Sequence, residues 1–195
     1  MRILALADLH GRKIKLEGRS VDLVVIAGDI TQFGGYHEAK RVLAPITASG
    51  LRLLAVPGNC DYPGVATYLS EIGANCEERL MVIDGFGFLG LGGSNPTPCN
   101  TPNEFPEAEL KQRLNRFLAE KISVLISHAP PYNTTVDLTH SRTHAGSRSV
   151  RDFIEEVEPE LVICGHIHEA KGEDRIGKTR IINPGPGEGI VVEIG

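Results

Sequence analysis

The sequence lacks tryptophan, any apolar run as long as a membrane span, and any pair of cysteines in a C-x-x-C pattern. A helix that spans a bilayer needs about 20 apolar residues, and the N-terminal apolar run is interrupted early by Asp8. The cysteines at positions 60, 76, 99 and 164 fit neither a zinc knuckle nor the disulfide framework of a small secreted domain. We therefore expect a cytoplasmic protein with no membrane partner and with reduced thiols.

Positive charge is also scarce, since 20 Lys and Arg residues stand against 25 Asp and Glu residues for a net charge of −5. Proteins that grip a nucleic-acid polymer normally present a basic face, so the composition argues against such a partner. A small anionic substrate stays open if a bound metal supplies the local positive charge. The composition does not bear on self-association, so a homo-oligomer is also left open.

The length and composition are those of a globular domain. A chain of 195 residues can bury roughly 70% of its unfolded surface without disulfides or a partner. Hydrophobic residues make up 41% of the sequence, and we find no repeat and no composition shift that would mark a linker. The sequence predicts a single domain over residues 1–195.

Strands and helices are predicted to alternate along the chain, which is typical of an α/β fold. Short apolar runs without period-2 alternation predict strands that are buried on both faces. These runs cover residues 2–7, 21–27, 51–56 and 122–126, and a fifth run begins at Leu161. Helical spacing is found over residues 36–47, after Pro63, over 106–120 and from Ser147 to 157. Antiparallel hairpins are predicted around Asp84-Gly85 and Gly177, with a last strand over 189–194.

Polar side chains follow the predicted buried strands at the points where these strands end. Because the carboxyl ends of parallel strands meet at one edge of a sheet, we expect these side chains to converge there. They are Asp8, His10, Asp29, Asn59, His128, His166 and His168. The loops over residues 94–105 and 132–146 are long enough that a function is favoured over a plain connection.

His166 and His168 are two positions apart in a segment that leaves a strand. In an extended or turning segment both imidazoles can face one cleft, whereas on a helix they would diverge. Taken alone, this pair could equally be two polar loop residues. The repetition of Asp, His and Asn after the other strands favours metal ligands.

The converging donors are too many for one tetrahedral ion, which takes four ligands, and they suit two divalent metal ions that share a carboxylate. Carboxylate, amide and imidazole donors without a thiolate indicate manganese first, with iron, nickel or zinc as alternatives, and argue against calcium. We therefore expect two divalent metal ions as cofactors.

At these residues the chain resembles the calcineurin-like metallophosphoesterase superfamily, and in particular its small single-domain bacterial and archaeal phosphodiesterases. The signatures D-x-H, G-D, G-N-H-D/E, a lone His and G-H-x-H follow one another in that order. They stand here as Asp8-Leu-His10, Gly28-Asp29, Gly58-Asn59-Cys60-Asp61, His128 and Gly165-His166-Ile-His168. The resemblance implies a four-layer α-β-β-α sandwich, in which two mixed β-sheets are flanked by helices.

The resemblance also implies a role for each matching residue. Asp8, His10, Asp29 and His168 would bind the first metal, and Asp29, Asn59, His128 and His166 the second, with Asp29 bridging. A hydroxide between the metals would attack a small phosphoester substrate in line. Asn59, Asp61 and His144 are the candidate catalytic residues.

The chain departs from the family pattern at Cys60, where a histidine that assists the leaving group is more usual. This departure favours a phosphodiesterase over an enzyme acting on alkyl monoesters, because a thiol is a poor general acid. Cys60, Arg142 and His144 are the candidate substrate contacts; for Arg142 and His144, a solvated loop is the competing interpretation.

Two other functions stay open. The same fold serves as a non-catalytic scaffold in the eukaryotic retromer coat, where the metal site is degraded, whereas the ligand set here is complete. A nuclease of the same superfamily would need a surface that grips DNA, which the acidic charge does not favour.

Overall fold

The computed structural model describes residues 1–16, 18 and 20–195 of the chain. The strands are β1 (Arg2–Leu6), β2 (Leu23–Ala27), β3 (Arg52–Val56), β4 (Leu80–Ile83), β5 (Phe86–Leu91), β6 (Val124–Ser127), β7 (Leu161–Ile163), β8 (Gly172–Ile176), β9 (Thr179–Asn183) and β10 (Ile190–Glu193). The α-helices are α1 (Tyr36–Ser49), α2 (Gly64–Glu71), α3 (Glu107–Asn115) and α4 (Arg148–Val157).

The strands form two mixed sheets. The first has the order β10-β1-β2-β3, with β1, β2 and β3 parallel and β10 antiparallel at one edge. The second has the order β4-β5-β6-β7-β9-β8, with four parallel strands in the centre and antiparallel strands at both edges.

Three layers of apolar side chains hold the molecule together. Between the sheets, Ile3 and Val25 of the first sheet belong to one buried cluster with Phe88 and Ile126 of the second. The outer face of the first sheet is covered by α1 and α2, and the outer face of the second by α3 and α4. The predicted four-layer α-β-β-α sandwich is confirmed, and burial on both faces explains why the central strands are apolar without alternation.

The predicted elements differ from the observed ones mainly at their ends. The third helix ends at Asn115 rather than 120, and the first continues past Pro45 to Ser49. The Asp84-Gly85 hairpin is confirmed, with φ of 50° and 85° at these two residues, as a tight primed turn requires. Ser147 caps α4 by accepting a hydrogen bond of 3.2 Å from the Val150 amide.

None of the helices in the described part of the chain is both long and apolar enough to cross a bilayer.

Candidate metal centre

The loops that follow β1 and β2 are joined by backbone hydrogen bonds. The Asp8 amide donates to the Gly28 carbonyl at 3.1 Å, and the His10 amide donates to the Asp29 carbonyl at 2.9 Å. These bonds extend the parallel pairing of the two strands beyond their ends. They fix the side chains of Asp8, His10 and Asp29 relative to one another.

Glycine is required at two positions where the backbone passes directly behind a donor side chain. Gly28 has φ of 86°, and a Cβ there would overlap the His128 ring. A Cβ at Gly58 would overlap the Asp29 carboxylate. The glycines of the G-D and G-N signatures thus allow loops from both sheets to approach closely.

Several donor residues adopt the left-handed backbone conformation that disfavours non-glycine residues. The φ angles are 54° at Asp8, 46° at His10, 49° at Asp29 and 71° at His166. Each such residue costs of order 1–3 kcal/mol and persists only where the surroundings enforce it. Strain at several donor residues whose loops meet at one place is typical of a functional site.

The first donor group contains Asp8, His10 and His168. The Nε2 atoms of His10 and His168 are 3.0 Å apart, and His168 Nε2 is 3.7 Å from Asp8 Oδ1. His10 Nε2 is also 3.6 Å from Asp29 Oδ2. The donor atoms of Asp8, His10 and His168 lie within 4.8 Å of one another.

The second donor group is built around Asn59. Its Oδ1 is 2.7 Å from His128 Nε2 and 2.8 Å from His166 Nδ1. The His128 Nδ1 proton is engaged by the Ala27 carbonyl at 2.8 Å, which directs the Nε2 lone pair of a neutral ring toward the Asn59 oxygen. Two lone pairs that face one another at this distance call for a cation or a second proton on the ring.

The donors fit a cationic group. Asp8 Oδ2 is buried, and it has no hydrogen-bond partner among the described residues. The donor atoms of Asp8, Asp29 and His128 also lie within 4.8 Å of one another, and all three residues are buried. Two buried carboxylates so close together need compensating positive charge, which a metal ion supplies.

The pKa values of these residues reflect this crowding. Burial raises the pKa of Asp8, and burial lowers the pKa of His166 to about 3. Burial alone would lower the pKa of His128, but the carboxylates of Asp29 and Asp8 outweigh it and raise that pKa. Burial opposes ionisation of Asp29, but its pKa is lowered by His128 and by the hydrogen bond from the Cys60 amide.

A cavity of about 510 Å³ opens directly onto the donors, with His10, Asp29, Asn59, His166 and His168 in its lining. Its opposite wall comes from the predicted functional loop over residues 94–105. This volume is typical of small-molecule sites. The prediction that the loop has more than a connecting role is supported by its position.

That loop also holds Asn59 in place. The Asn59 amide donates to Thr101 Oγ1 at 2.8 Å, and the Thr101 hydroxyl donates to the Glu104 carboxylate at 2.5 Å. Burial opposes ionisation of Glu104, but hydrogen bonds from Thr101 and Thr97 lower its pKa to about 2. Because the Asn59 nitrogen is engaged in this way, its oxygen faces the two histidines.

Asp61 lies behind the donors and outside the cavity lining. Its carboxylate accepts hydrogen bonds from the amides of Ile30, Thr31 and Gly58 and from the Thr31 hydroxyl, at 2.7 to 3.0 Å. Burial and the nearby Asp29 raise its pKa to about 6. The structure thus gives Asp61 the position of a support for two loops, and a direct catalytic role for it stays a prediction.

Neither Arg142 nor His144 lines the cavity, although their neighbours Thr139 and Ala145 do. His144 Nδ1 is 2.7 Å from Asp137 Oδ1, so this ring is tied to a buried carboxylate within its own loop. Arg142 is exposed. Their predicted contacts with substrate stay predictions.

Two features of the site escaped the sequence reasoning. Thr101 carries no signature that distinguishes it from other loop threonines, so its contact with Asn59 could not be foreseen. The prediction also placed no thiolate among the donors, yet the Cys60 sulfur lies within 4.8 Å of donor atoms of His10 and Asp29. The sequence signal for this proximity is that Cys60 directly follows Asn59, a predicted donor.

Comparisons with known proteins show the family and the fold of this chain. A family model described as calcineurin-like phosphoesterase matches residues 1–170. An uncharacterised protein of Methanocaldococcus jannaschii is 38% identical over 194 residues, which cover 95% of this chain and 88% of that protein. A crystal structure of a protein of Thermus thermophilus, TT1561, is similar with a TM-score of 0.74 at 18% identity, over 95% of this chain and 89% of that one. A further crystal structure has a TM-score of 0.76 at 22% identity, over 95% and 90% of the two chains.

Proposed function

The chain belongs to the calcineurin-like phosphoesterase family, and we propose that within this family it is a phosphodiesterase that hydrolyses small phosphate esters with two divalent metal ions, preferably manganese. The family and the clustered donors make it a metallophosphoesterase. The ester class, the number of ions and their identity are the proposal.

The position of Asp29 carries the proposal of two ions. Its Oδ2 lies 3.6 Å from His10 Nε2 in the first donor group, and its Oδ1 lies 3.5 Å from His128 Nε2 in the second. Each carboxylate oxygen therefore faces a different group. This is the arrangement expected of a carboxylate that bridges two ions.

When bound, the two ions would supply Lewis acidity toward the phosphate oxygens and would activate water for attack on phosphorus. Asp8 and Asp29 would hold the ions by charge, and Asn59 would contribute a neutral amide oxygen in a direction fixed by Thr101. His166 and His168 line the cavity, where a phosphate would enter. The buried side chains of His128 and Asp8 would exclude water from the side opposite the cavity.

Cys60, which lines the cavity beside Asp29 and Asn59, favours esters with good leaving groups, aryl diesters among them, over alkyl monoesters. Burial and the neighbouring Asp29 raise the pKa of its thiol, so it stays protonated at neutral pH. A thiol is nevertheless a weak hydrogen-bond donor and a poor substitute for the histidine that would protonate an alkoxide. Esters with leaving groups that depart unprotonated should therefore react best.

A non-catalytic scaffold would have no need of a complete donor set in which Asp8 and Asp29 are both strained and buried, and an enzyme has such a need. A nuclease is disfavoured by the net charge of −5. We therefore propose a small-molecule substrate.

Matched aryl phosphate monoesters and diesters, assayed with manganese, iron, nickel and zinc, test the proposal. We expect hydrolysis with at least one metal and faster turnover of the diester. Replacing His128 and His166 together by alanine should abolish turnover. Absence of hydrolysis with every metal would favour the scaffold, and faster turnover of the monoester would contradict the ester class alone.

A further inference from the structure

Phe33 is an exposed aromatic residue at the mouth of the catalytic cavity. Its side chain is 47% exposed and lines the same cavity as Asp29, Asn59 and Cys60. Large apolar side chains of a folded domain normally gain stability by burial, so exposure alone would be unremarkable on an open surface. Beside strained metal donors it is a candidate for substrate contact.

The backbone at Phe33 is held in a conformation that a bulky residue rarely adopts. Its φ is 54°, in the left-handed region that favours glycine or asparagine. Strain of this kind persists where neighbouring structure enforces it, and it clusters at ligand sites.

The neighbouring structure is a dense set of hydrogen bonds on both sides of Phe33. The Thr31 hydroxyl donates to Asp61 Oδ1 at 2.7 Å and accepts a hydrogen bond from the Gly34 amide at 3.1 Å. The Tyr62 amide donates to the Gly34 carbonyl at 3.0 Å. The loop is therefore fixed to the buried Asp61 carboxylate, and the backbone that carries the phenyl ring needs no ordering at binding.

The wall supplied by the 94–105 loop is also apolar in part. Pro96 and Pro98 line the cavity together with Phe33. A rigid aromatic ring and proline rings suit a flat, apolar group better than a flexible or strongly hydrated one.

We propose that Phe33 is a specificity-determining residue that stacks against a planar aromatic ring of the substrate while the phosphate lies on the metal ions. The substrate class is a phosphate ester that carries an aromatic group, either a simple aryl ring or a nucleobase. This inference rests on the proposed function, because it takes the donor cluster as the phosphate site.

Direct binding of phosphonates to the manganese-loaded enzyme, measured by titration calorimetry, tests the ring contact apart from turnover. Phenylphosphonate and cyclohexylphosphonate have the same charge and similar size, but only the first is planar. We expect the wild-type enzyme to bind phenylphosphonate roughly threefold to tenfold more tightly, the range that aromatic pairing provides. In Phe33→Leu this ratio should fall to about one, and in Phe33→Tyr it should be retained.

Methylphosphonate is the internal control, since it has no ring and should bind Phe33→Leu and the wild type equally. Val82→Ala, which removes an exposed apolar side chain of β4 that does not line the cavity, should leave every ratio unchanged. Phe33→Gly keeps the experiment informative if leucine is not accepted, because glycine adopts the left-handed conformation without strain.

The source of the ring is distinguished by a second pair, adenosine 5′-monophosphate and ribose 5-phosphate. If the preference for the first depends on Phe33, the ring is a nucleobase; if only the phenyl preference depends on it, the ring is a simple aryl group. A phenyl-to-cyclohexyl ratio that is unchanged in Phe33→Leu, or a wild-type ratio of one, would overturn the inference. Failure of methylphosphonate to bind the wild type would instead contradict the phosphate site and the proposed function.

Discussion

Asp29 is the residue on which both donor groups depend, because its two oxygens face His10 and His128 on opposite sides. Asp29→Asn keeps an oxygen that can accept the hydrogen bond from the Cys60 amide, so the loops should stay in place. The variant loses the negative charge that would hold two ions. We expect turnover to fall by more than about 100-fold and at least one metal to be lost.

Metal content per chain, circular dichroism and turnover of the purified variant check this expectation. Asp152→Asn is the matched control, since it removes the same charge from an exposed ion pair with Lys111. An Asp29→Asn protein with two metals and wild-type turnover would show that Asp29 does not bridge.

In the proposed function, Cys60 limits which leaving groups are accepted. Cys60→His would place an imidazole beside Asn59 in the cavity lining. A general acid contributes about 10² to 10⁴ in rate, mostly where the leaving group is basic. We expect the variant to gain more on alkyl esters than on aryl diesters, measured as the ratio of the two kcat/KM values. An unchanged ratio in a variant that binds both metals would exclude position 60 from proton transfer.

The convergence of the donor side chains could be predicted from the sequence, because each of them follows a buried strand whose carboxyl end lies at this edge of the sheet. Their binding of metal stays a prediction. The residues that hold the donor loops in place could not be predicted from the sequence. Glu104 and Thr101 act on Asn59 through a loop whose path depends on tertiary contacts. The family signature places Asp61 among the candidate catalytic residues, and its hydrogen bonds to Ile30, Thr31 and Gly58 show its position as a support.

Among the secondary elements, α3 and α4 are joined through Glu107. Its carboxylate accepts hydrogen bonds from the Ser147 hydroxyl at 2.9 Å and from the amides of Arg148 and Ser149 at 3.0 and 2.9 Å. These donors lie at the amino end of α4, where a negative charge is favoured by the helix dipole. Burial opposes ionisation, but the bonds from Ser149, Ser147 and Arg148 lower the pKa of Glu107.

A lowered pKa in the folded state gives a defined dependence of stability on pH. The stabilisation by Glu107 is fully present above its unfolded pKa and is lost as the pH falls through the lower folded value. Glu107→Gln should therefore lower the free energy of unfolding by about 1 kcal/mol near neutral pH, and the two proteins should converge as the pH falls through the folded pKa of Glu107.

Urea unfolding at a series of pH values measures this difference. Glu120→Gln, an exposed residue beyond the end of α3, is the control and should match the wild type throughout. A difference between Glu107→Gln and wild type that persists undiminished to the acid end of the series would mean that the charge of Glu107 is not the source of its contribution.

Most helices and strands could be predicted from the sequence, because apolar runs, the Asp84-Gly85 turn and the Ser147 cap are local signals. The end of α3 could not be predicted. The predicted helix continues to residue 120, whereas in the structure the residues after Asn115 form turns. Helix ends depend on which side chains find a partner, and periodicity alone does not contain that information.

At the scale of the whole molecule, the sandwich brings the carboxyl ends of strands from two sheets to one place. The first sheet supplies Asp8, His10, Asp29 and Asn59, and the second supplies His128 and the two histidines that follow β7. Alternation of strands and helices predicted an α/β fold. The division into two sheets was implied only by the family resemblance. Pairing between strands far apart in sequence, such as β10 with β1, leaves no local signal in the sequence.

The central claim is that hydrolysis depends on two metal ions held by these donors. The most direct measurement is the number of divalent ions per chain in the purified protein, together with turnover of an aryl phosphodiester before chelation, after exhaustive chelation and after return of manganese. We predict two ions per chain, loss of turnover on their removal and recovery with manganese. Turnover that survives complete removal of metal would contradict the account.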